Sequence, residues 1–182
     1  VEDPIEMNIP GINQVQVISD IGLTFAASLR SILRQDPDII MIGEIRDDET
    51  AKIAVRASIT GHLVLSTIHT NSALNTIERL LDMNIERYLL GTALAGIVSQ
   101  KLCKKLCPYC RGTRPTTEYE KNVFKKSLNL DINEINEPKG CDKCHEGFKG
   151  RVALHEVLLL NQDIKDAITN NLKKEDLRDL VY

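Results

Sequence analysis

An acidic side chain, Glu44, lies just beyond an apolar run near the start of the chain. Residues 39–42 read Ile-Ile-Met-Ile, and Gly43 and Glu44 come next. This short run between Pro37 and Gly43 favours a strand buried on both faces of a parallel sheet. Ligands of open α/β sheets bind at the carboxyl ends of the strands, where a carboxylate can activate water for attack on a phosphate or help hold Mg²⁺. The alternative is that Glu44 caps the next turn or pairs with Arg46.

Two histidines stand at opposite ends of a second apolar run. His62 precedes residues 63–65 and His69 follows them, so only His69 is expected at the same sheet edge as Glu44. An imidazole at that edge can hydrogen-bond a terminal phosphate. The neighbours of His69 are polar: Thr67, Thr70 and Asn71. They favour a site at His69, whereas His62 is better explained as a loop histidine bonded to backbone.

Further charged groups could complete a phosphate site. An acidic cluster surrounds Pro4: Glu2, Asp3 and Glu6. Such carboxylates can coordinate Mg²⁺ through water, although a solvated acidic turn is the commoner meaning of this pattern. Arg30 and Arg34 stand four residues apart, opposite the apolar face of a helix predicted over residues 22–35. They can neutralise phosphate charge, also across a subunit boundary, or form ion pairs on a solvated face.

Four of the five cysteines form two C-x-x-C pairs: Cys107, Cys110, Cys141 and Cys144. Each pair presents two thiolates in a tight turn, and the two pairs together predict a tetrahedral Zn²⁺ site. The metal would staple a loop of thirty residues between the pairs. Disulfides are the alternative, and a chain without an export signal disfavours them. Cys103 is predicted to be a small core residue on an apolar helix, and His145 is an alternative ligand.

The elements that must position these groups alternate between helix and strand. Helices are predicted over residues 22–35, 48–60, 72–82 and 88–101, and buried strands over residues 39–42 and 63–65. This alternation predicts an α/β domain with a largely parallel sheet. Short strands are expected within residues 5–17, around a turn at Pro10 and Gly11. Residues 108–150 are polar and punctuated by cysteine, as in an inserted module, and residues 163–172 and 174–181 predict two short amphipathic helices.

Composition limits the class of protein. A chain of 182 residues suits one medium domain, alone or with a small satellite. A net charge of −3 argues against a nucleic-acid binder, which usually presents a basic face. No apolar run approaches the roughly 18 residues of a membrane span, and no signal peptide indicates export. The chain begins with Val1 rather than Met and ends in a helical pattern, so it is expected to be part of a longer protein.

Together these motifs resemble those of the bacterial type II secretion and type IV pilus assembly ATPases. Residues 1–6 resemble the acidic box of that family, and residues 29–47 resemble its arginine helix and Walker B segment. Residues 60–71 resemble its histidine box, and the cysteine pairs, ending in residues 147–151, resemble its tetracysteine zinc region. The resemblance covers nearly the whole chain, and the four motifs occur in family order. The zinc region indicates the assembly branch, since the pilus retraction branch generally lacks it.

The resemblance implies a partial RecA-like P-loop NTPase core in residues 1–105, a zinc module in residues 106–151 and a C-terminal helical region in residues 152–182. It makes Glu44 the catalytic glutamate and His69 a contact of the terminal phosphate, with His62 supporting the motif. It implies that Glu2, Asp3 and Glu6 act around Mg²⁺ and ATP and that Arg30 and Arg34 neutralise phosphate charge. It also implies that four cysteines bind Zn²⁺: Cys107, Cys110, Cys141 and Cys144.

The same resemblance implies a homo-hexameric ATPase at the cytoplasmic face of the membrane, docked to an inner-membrane platform protein and without direct nucleic-acid contact. It would power type II secretion or type IV pilus assembly. One departure is large: no Gly-Lys pair occurs in the sequence, so the phosphate loop G-x-x-x-x-G-K-[ST] is missing. The chain alone is therefore predicted to hydrolyse ATP negligibly. The alternatives are a DNA-uptake motor of the same family and a non-catalytic, zinc-stapled binding module.

Overall fold

A computed structural model describes residues 1–181 as two compact units, one of residues 1–99 with 156 onward and one of residues 100–155. The helices are α1 Phe25–Ile32, α2 Asp48–Ile59, α3 Ala73–Asp82, α4 Arg87–Ala93, α5 Glu118–Leu128, α6 Gln162–Thr169 and α7 Lys174–Val181. The strands are β1 Ile39–Ile42, β2 Leu63–Ser66, β3 Gly96–Leu106, β4 Gly112–Pro115, β5 Glu134–Glu137 and β6 Phe148–Leu159. The predicted α/β class is confirmed, as are the two C-terminal helices.

The first unit is built around the parallel pair β1 and β2, whose register aligns Ile39 with Leu63 and Ile42 with Ser66. Helices α1 and α2 cover one face of this pair. The buried residues there are Leu29, Ile40, Ile42, Ala54 and Ala57. Each helix begins at a side-chain cap, because the Thr24 hydroxyl and the Asp47 carboxylate accept amide hydrogens of the first turn. The two caps therefore fix the residues at which α1 and α2 begin.

The prediction that β1 and β2 are buried on both faces is wrong for this chain. Ile39 and Met41 are 62% and 55% exposed, and Leu63 and Leu65 are 53% and 49% exposed. Their side chains share one face of the pair, and no element within residues 1–181 covers it. A continuous apolar run therefore indicates two-sided burial only when the neighbouring layers are all present.

The predicted helix over residues 88–101 is only half right. Helix α4 ends at Ala93, where Leu94 takes an extended backbone, and the chain continues as β3. The β-branched pair Ile97 and Val98 suits a pleated strand better than a helix. As a result Cys103 is exposed on β3 rather than buried in a helix, which corrects its predicted core position.

Two further expectations near the start of the chain are corrected. Residues 5–17 form a loop with a turn at Pro10 and Gly11, and the only pairing described there is an isolated bridge between Glu2 and Gln16. Polar residues and Pro10 interrupt the alternation that a strand needs. Helix α1 is shorter than predicted, so Arg34 lies in the turn beyond it.

A larger core lies between α2, α3, α4 and α6. Its fully buried members include Ala51, Ala73 and Leu90. Helices α4 and α6 approach closely at Gly91, where an added Cβ would stand 2.6 Å from the Thr169 hydroxyl and 2.9 Å from the Lys165 carbonyl oxygen. This core supports the start of α3, which follows the second histidine. None of the helices described in residues 1–181 has both the length and the apolar character needed to cross a membrane.

The second unit contains the antiparallel pair β4 and β5 and the helix α5. Thr117 and Glu120 form a complete capping box, in which each side chain accepts the other's backbone N–H. Arg114 donates two hydrogen bonds to Glu120, at 2.7 and 2.9 Å. These bonds and the Thr117 amide lower the pKa of Glu120 to about 2, so it stays ionised at neutral pH. The start of α5 is therefore fixed by side chains rather than by a core.

We expect Thr117→Ala to weaken α5 by about 1 kcal/mol, because loss of an N-cap hydroxyl leaves a first-turn amide without its acceptor. Hydrogen exchange of the α5 amides should accelerate roughly fivefold, which is the equivalent of that free energy. Ser127→Ala is the matched control, since Ser127 is an exposed residue within the same helix. Unchanged exchange in Thr117→Ala would show that the box does not hold the helix start.

Candidate functional site

The carboxyl ends of β1 and β2 bring Glu44 and His69 together. The Ile45 amide donates to the Thr67 carbonyl at 3.0 Å, and the Thr67 hydroxyl donates to the Gly43 carbonyl, so the two strand ends are tied. His69 Nε2 then lies 3.4 Å from Glu44 Oε2. The Glu44 side chain is 12% exposed, whereas that of His69 is 87% exposed. The site thus pairs a sheltered carboxylate with an imidazole open to solvent.

The two oxygens of Glu44 have different surroundings. Oε1 pairs with Arg46 Nη2 at 2.5 Å. Oε2 is buried and, among the described residues, has no hydrogen-bond donor, because His69 lies within ion-pair distance but outside hydrogen-bond geometry. A buried acceptor without a donor is unusual in a native structure and suits a group that receives a proton from bound water. Arg46 meanwhile places a positive charge against Oε1.

The first residues of the chain run alongside the end of β1. The Val1 nitrogen donates to the Met41 carbonyl at 2.8 Å, and the Gly43 amide donates to the Val1 carbonyl at 2.7 Å. A Cβ on Gly43 would stand 3.1 Å from the Val1 oxygen and crowd it, so glycine permits the close approach. Glu2 is consequently held beside Gly43, at the strand end that carries Glu44.

The three acidic residues of this segment differ in position. Glu2 Oε1 accepts a hydrogen bond from Gln14 Nε2 at 2.8 Å. Asp3 is exposed, and its charge acts on Arg46, whose pKa is raised first by its bond to Glu44 and further by Asp3. Glu6 lies in the exposed loop, and no side-chain contact of Glu6 is found within residues 1–181. The structure therefore brings Glu2 and Asp3 to the site edge and leaves Glu6 apart.

Arg30, Arg34 and His62 do not contact Glu44. Arg30 pairs with Glu49, in the first turn of α2. Arg34 is exposed beyond α1 and has no ion pair in the described part of the chain. His62 Nδ1 lies 2.9 Å from the Ala57 carbonyl, at the amino end of β2. That bond fits the structural role expected of His62.

The second unit brings four sulfur atoms together. All Sγ atoms of Cys107, Cys110, Cys141 and Cys144 lie within 4.8 Å of one another. Three of the separations are 4.0, 3.7 and 3.6 Å, close to the edge of about 3.8 Å expected for a tetrahedron with Zn–S bonds of about 2.3 Å. All five cysteines are free, and these separations are far beyond a disulfide bond of about 2.05 Å. The donor set therefore fits Zn²⁺, and His145 is not needed.

The cysteines of the cluster differ in the pKa of their thiols. Burial and the contact with Cys144 raise the pKa of Cys110 to about 12. Burial also raises the pKa of Cys144, but hydrogen bonds from the Cys141 backbone and neighbouring thiols outweigh it and lower that pKa to about 7. These pKa values bear on metal binding, because the thiolate and not the thiol is the ligand of a soft divalent cation.

Two residues that support the site carry weak or no sequence signal. Thr67 ties β2 to Gly43 through its hydroxyl, and a polar β-branched residue at a strand end is only a general indication of such a bond. Glu156 reaches from β6 to the first amide of α3, eighty-three positions away, which no local pattern could predict. Thr67 lies within the histidine box at residues 60–71, whereas Glu156 lies outside the four recognised motifs.

Comparison with known proteins shows what this arrangement is similar to. The family model described as "Type II/IV secretion system protein" matches residues 1–182. The putative type II secretion system protein E of Escherichia coli (strain K12) is 48% identical over 182 residues, which are 100% of this chain and 37% of that protein. The type IV pilus assembly ATPase PilB of Thermus thermophilus is 43% identical, over 99% of this chain and 20% of that protein. The chain thus spans little more than a third of the first relative.

A solved structure gives the fold independently. The crystal structure of the pilus retraction motor PilT with bound ADP matches with a TM-score of 0.68 and 32% identity, covering 98% of this chain and 43% of that chain. The fold is accordingly a RecA-like α/β core, to which the second unit adds a cluster of four cysteines.

Proposed function

The chain belongs to the type II/IV secretion system protein family, and from that premise we propose that it is the C-terminal part of an ATPase that powers type II secretion or type IV pilus assembly. The observation that carries the proposal is the sheltered Glu44 carboxylate, which faces His69 across the joined ends of two parallel strands. Relatives named as ATPases and a neighbour solved with bound ADP support a nucleotide at this edge.

The chemistry follows from the two oxygens of Glu44. Oε2, which has no donor among residues 1–181, accepts the proton of a water that attacks the terminal phosphate of ATP. His69 is open to solvent 3.4 Å away and donates a hydrogen bond to that phosphate. Glu2 and Asp3, at the same edge, would hold Mg²⁺ through its water shell, and the cation would supply charge neutralisation on the phosphates. Glu6 would join them only if its loop moved toward the edge.

The exposed surfaces of the first unit support a larger assembly. The uncovered face of β1 and β2 presents four large apolar side chains: Ile39, Met41, Leu63 and Leu65. We propose that the rest of the longer protein covers this face and supplies the phosphate loop. Arg34, exposed and without an ion pair in the residues described, is available to neutralise phosphate charge in a neighbouring subunit of a homo-hexamer, and Arg30 would leave Glu49 to do the same.

The 182-residue chain alone is expected to show no ATP turnover above background, because its sequence contains no Gly-Lys pair to cradle the phosphates. The full-length protein should hydrolyse ATP under the same conditions, as measured by phosphate release. Steady turnover by the chain alone would refute the need for the missing loop. A full-length protein without turnover, when assembled and metal-loaded, would refute the ATPase proposal itself.

A cytoplasmic position at the inner face of the membrane, against a platform protein, completes the proposal. Residues 100–155 contain twelve Lys and Arg against seven Asp and Glu, whereas the whole chain has a net charge of −3. Such a basic unit suits the anionic surface of a membrane. The full-length protein should therefore sediment with vesicles containing anionic lipid, and Lys143→Glu with Lys149→Glu should reduce this. Equal binding to neutral vesicles would contradict an electrostatic attachment.

A further inference from the structure

Glu156 connects the last strand of the chain to the loop that carries His69. It lies on β6, and its Oε2 accepts a hydrogen bond from the Ala73 amide at 3.1 Å. Ala73 is the first residue of α3 and is fully buried. First-turn amides have no acceptor within their own helix, and a carboxylate at a helix N-terminus is also favoured by the helix dipole. Glu156 therefore fixes the start of α3 from a distant part of the chain.

The start of α3 is the far end of the histidine loop. Ser72 caps the helix by accepting the Asn75 amide at 3.2 Å. Thr70, the residue after His69, bonds the buried Thr76 hydroxyl at 2.7 Å. The other end of the loop is tied at Thr67 to Gly43 and Ile45. The loop is thus held at two points, one beside Glu44 and one beside Glu156.

His69 itself has little side-chain support. Its ring is 87% exposed, and its described contact is with Glu44, at 3.4 Å. An exposed ring without packing takes its position from the backbone that carries it. Displacing the helical end of the loop would move the ring relative to Glu44, and a shift of about 1 Å can reduce a reaction rate on the order of a hundredfold.

We propose that Glu156 is a positioning residue that sets His69 against Glu44 by anchoring the N-terminus of α3. The proposal rests on the function assigned above to Glu44 and His69. Glu156 does not touch the reacting atoms, and its influence reaches them through Ala73, Ser72 and Thr70.

A double-mutant cycle in the full-length, metal-loaded protein tests this. We expect Glu156→Ala to lower kcat about 10- to 100-fold with KM for ATP changed by less than about threefold, since a positioning loss affects the chemical step. Glu156→Gln keeps an oxygen acceptor for the Ala73 amide and should retain kcat within about threefold. In a His69→Ala background, Glu156→Ala should lower kcat less than about twofold further, because the group that it positions is gone.

Two further variants test the loop anchor a second time and control for effects of substitution on β6. Thr70→Val removes the bond to Thr76 with little change in shape, and its effect should also vanish in the His69→Ala background. Val157→Thr, at a residue on the same strand that is 62% exposed, should retain wild-type kcat.

The outcomes distinguish the positioning role of Glu156 from the roles assigned to His69 and Glu44. An equal loss from Glu156→Ala in both backgrounds, or no loss at all, would overturn the positioning role while leaving Glu44 and His69 as assigned. Wild-type kcat in His69→Ala would overturn the role of His69, and the positioning role would fall with it. The activity of Glu44→Gln would still report separately on the ATPase proposal.

Discussion

Replacing Glu44 by glutamine in the full-length protein should lower kcat for ATP hydrolysis about 10²- to 10⁴-fold, the usual contribution of a general base. The substitution keeps size and leaves one oxygen to meet Arg46, which lies 2.5 Å from Oε1. It removes the negative charge and the basicity of Oε2, the buried atom that has no donor in the described structure. Turnover should therefore fail while the fold stays intact.

Nucleotide affinity should change by less than about threefold in the same variant, because Glu44 acts on the attacking water rather than on the bound nucleotide. Binding of a fluorescent ATP analogue and steady-state phosphate release measure the two properties separately. Asp48→Asn is the matched control: Asp48 lies close in sequence but pairs with Lys52 on the surface, with its side chain 54% exposed. Turnover of Glu44→Gln within about threefold of wild type would remove Glu44 from the mechanism.

The meeting of Glu44 and His69 could be predicted because it depends only on strand direction. Once two consecutive apolar runs are parallel strands, the residues that follow them meet at one edge. The partners of Glu44 were harder to predict, since the sequence allowed both a role in phosphate chemistry and an ion pair with Arg46. The structure shows the ion pair with Arg46 at Oε1 and leaves Oε2 without a donor among the described residues.

Predictions failed where the outcome depended on distant parts of the chain. The helix predicted to include Arg34 ends at Ile32, because a local period does not determine where a helix ends. The strand that contains Cys103 was mistaken for helix because the residues before it, 88–98, are largely apolar, and a short apolar run has no unique period. The contact of Glu156 with Ala73 joins segments whose separation hides it from any local pattern.

The four-cysteine cluster was predictable from spacing, and its main effect should be on stability. Within residues 100–155, all of which the structure describes, Cys107 is the single buried hydrophobic residue. A unit this poor in apolar core must draw its folding free energy from another source, and small domains commonly use a structural metal for this. Structural Zn²⁺ contributes roughly 10–16 kcal/mol in zinc-finger peptides, and that binding energy is also folding energy.

Chelation, or Cys141→Ser, should therefore unfold the metal-binding unit. The Cys107 amide, which donates to the Gly147 carbonyl at 2.8 Å, should lose its protection from hydrogen exchange by at least about a hundredfold. Mass spectrometry under native conditions should show one zinc per wild-type chain and none in Cys141→Ser. Cys103→Ser is the control that retains metal and protection, because Cys103 is exposed and lies outside the cluster. If protein purified without chelator holds no metal and still protects the Cys107 amide, the unit is stabilised by its loops and the capped helix α5, and zinc has no structural role.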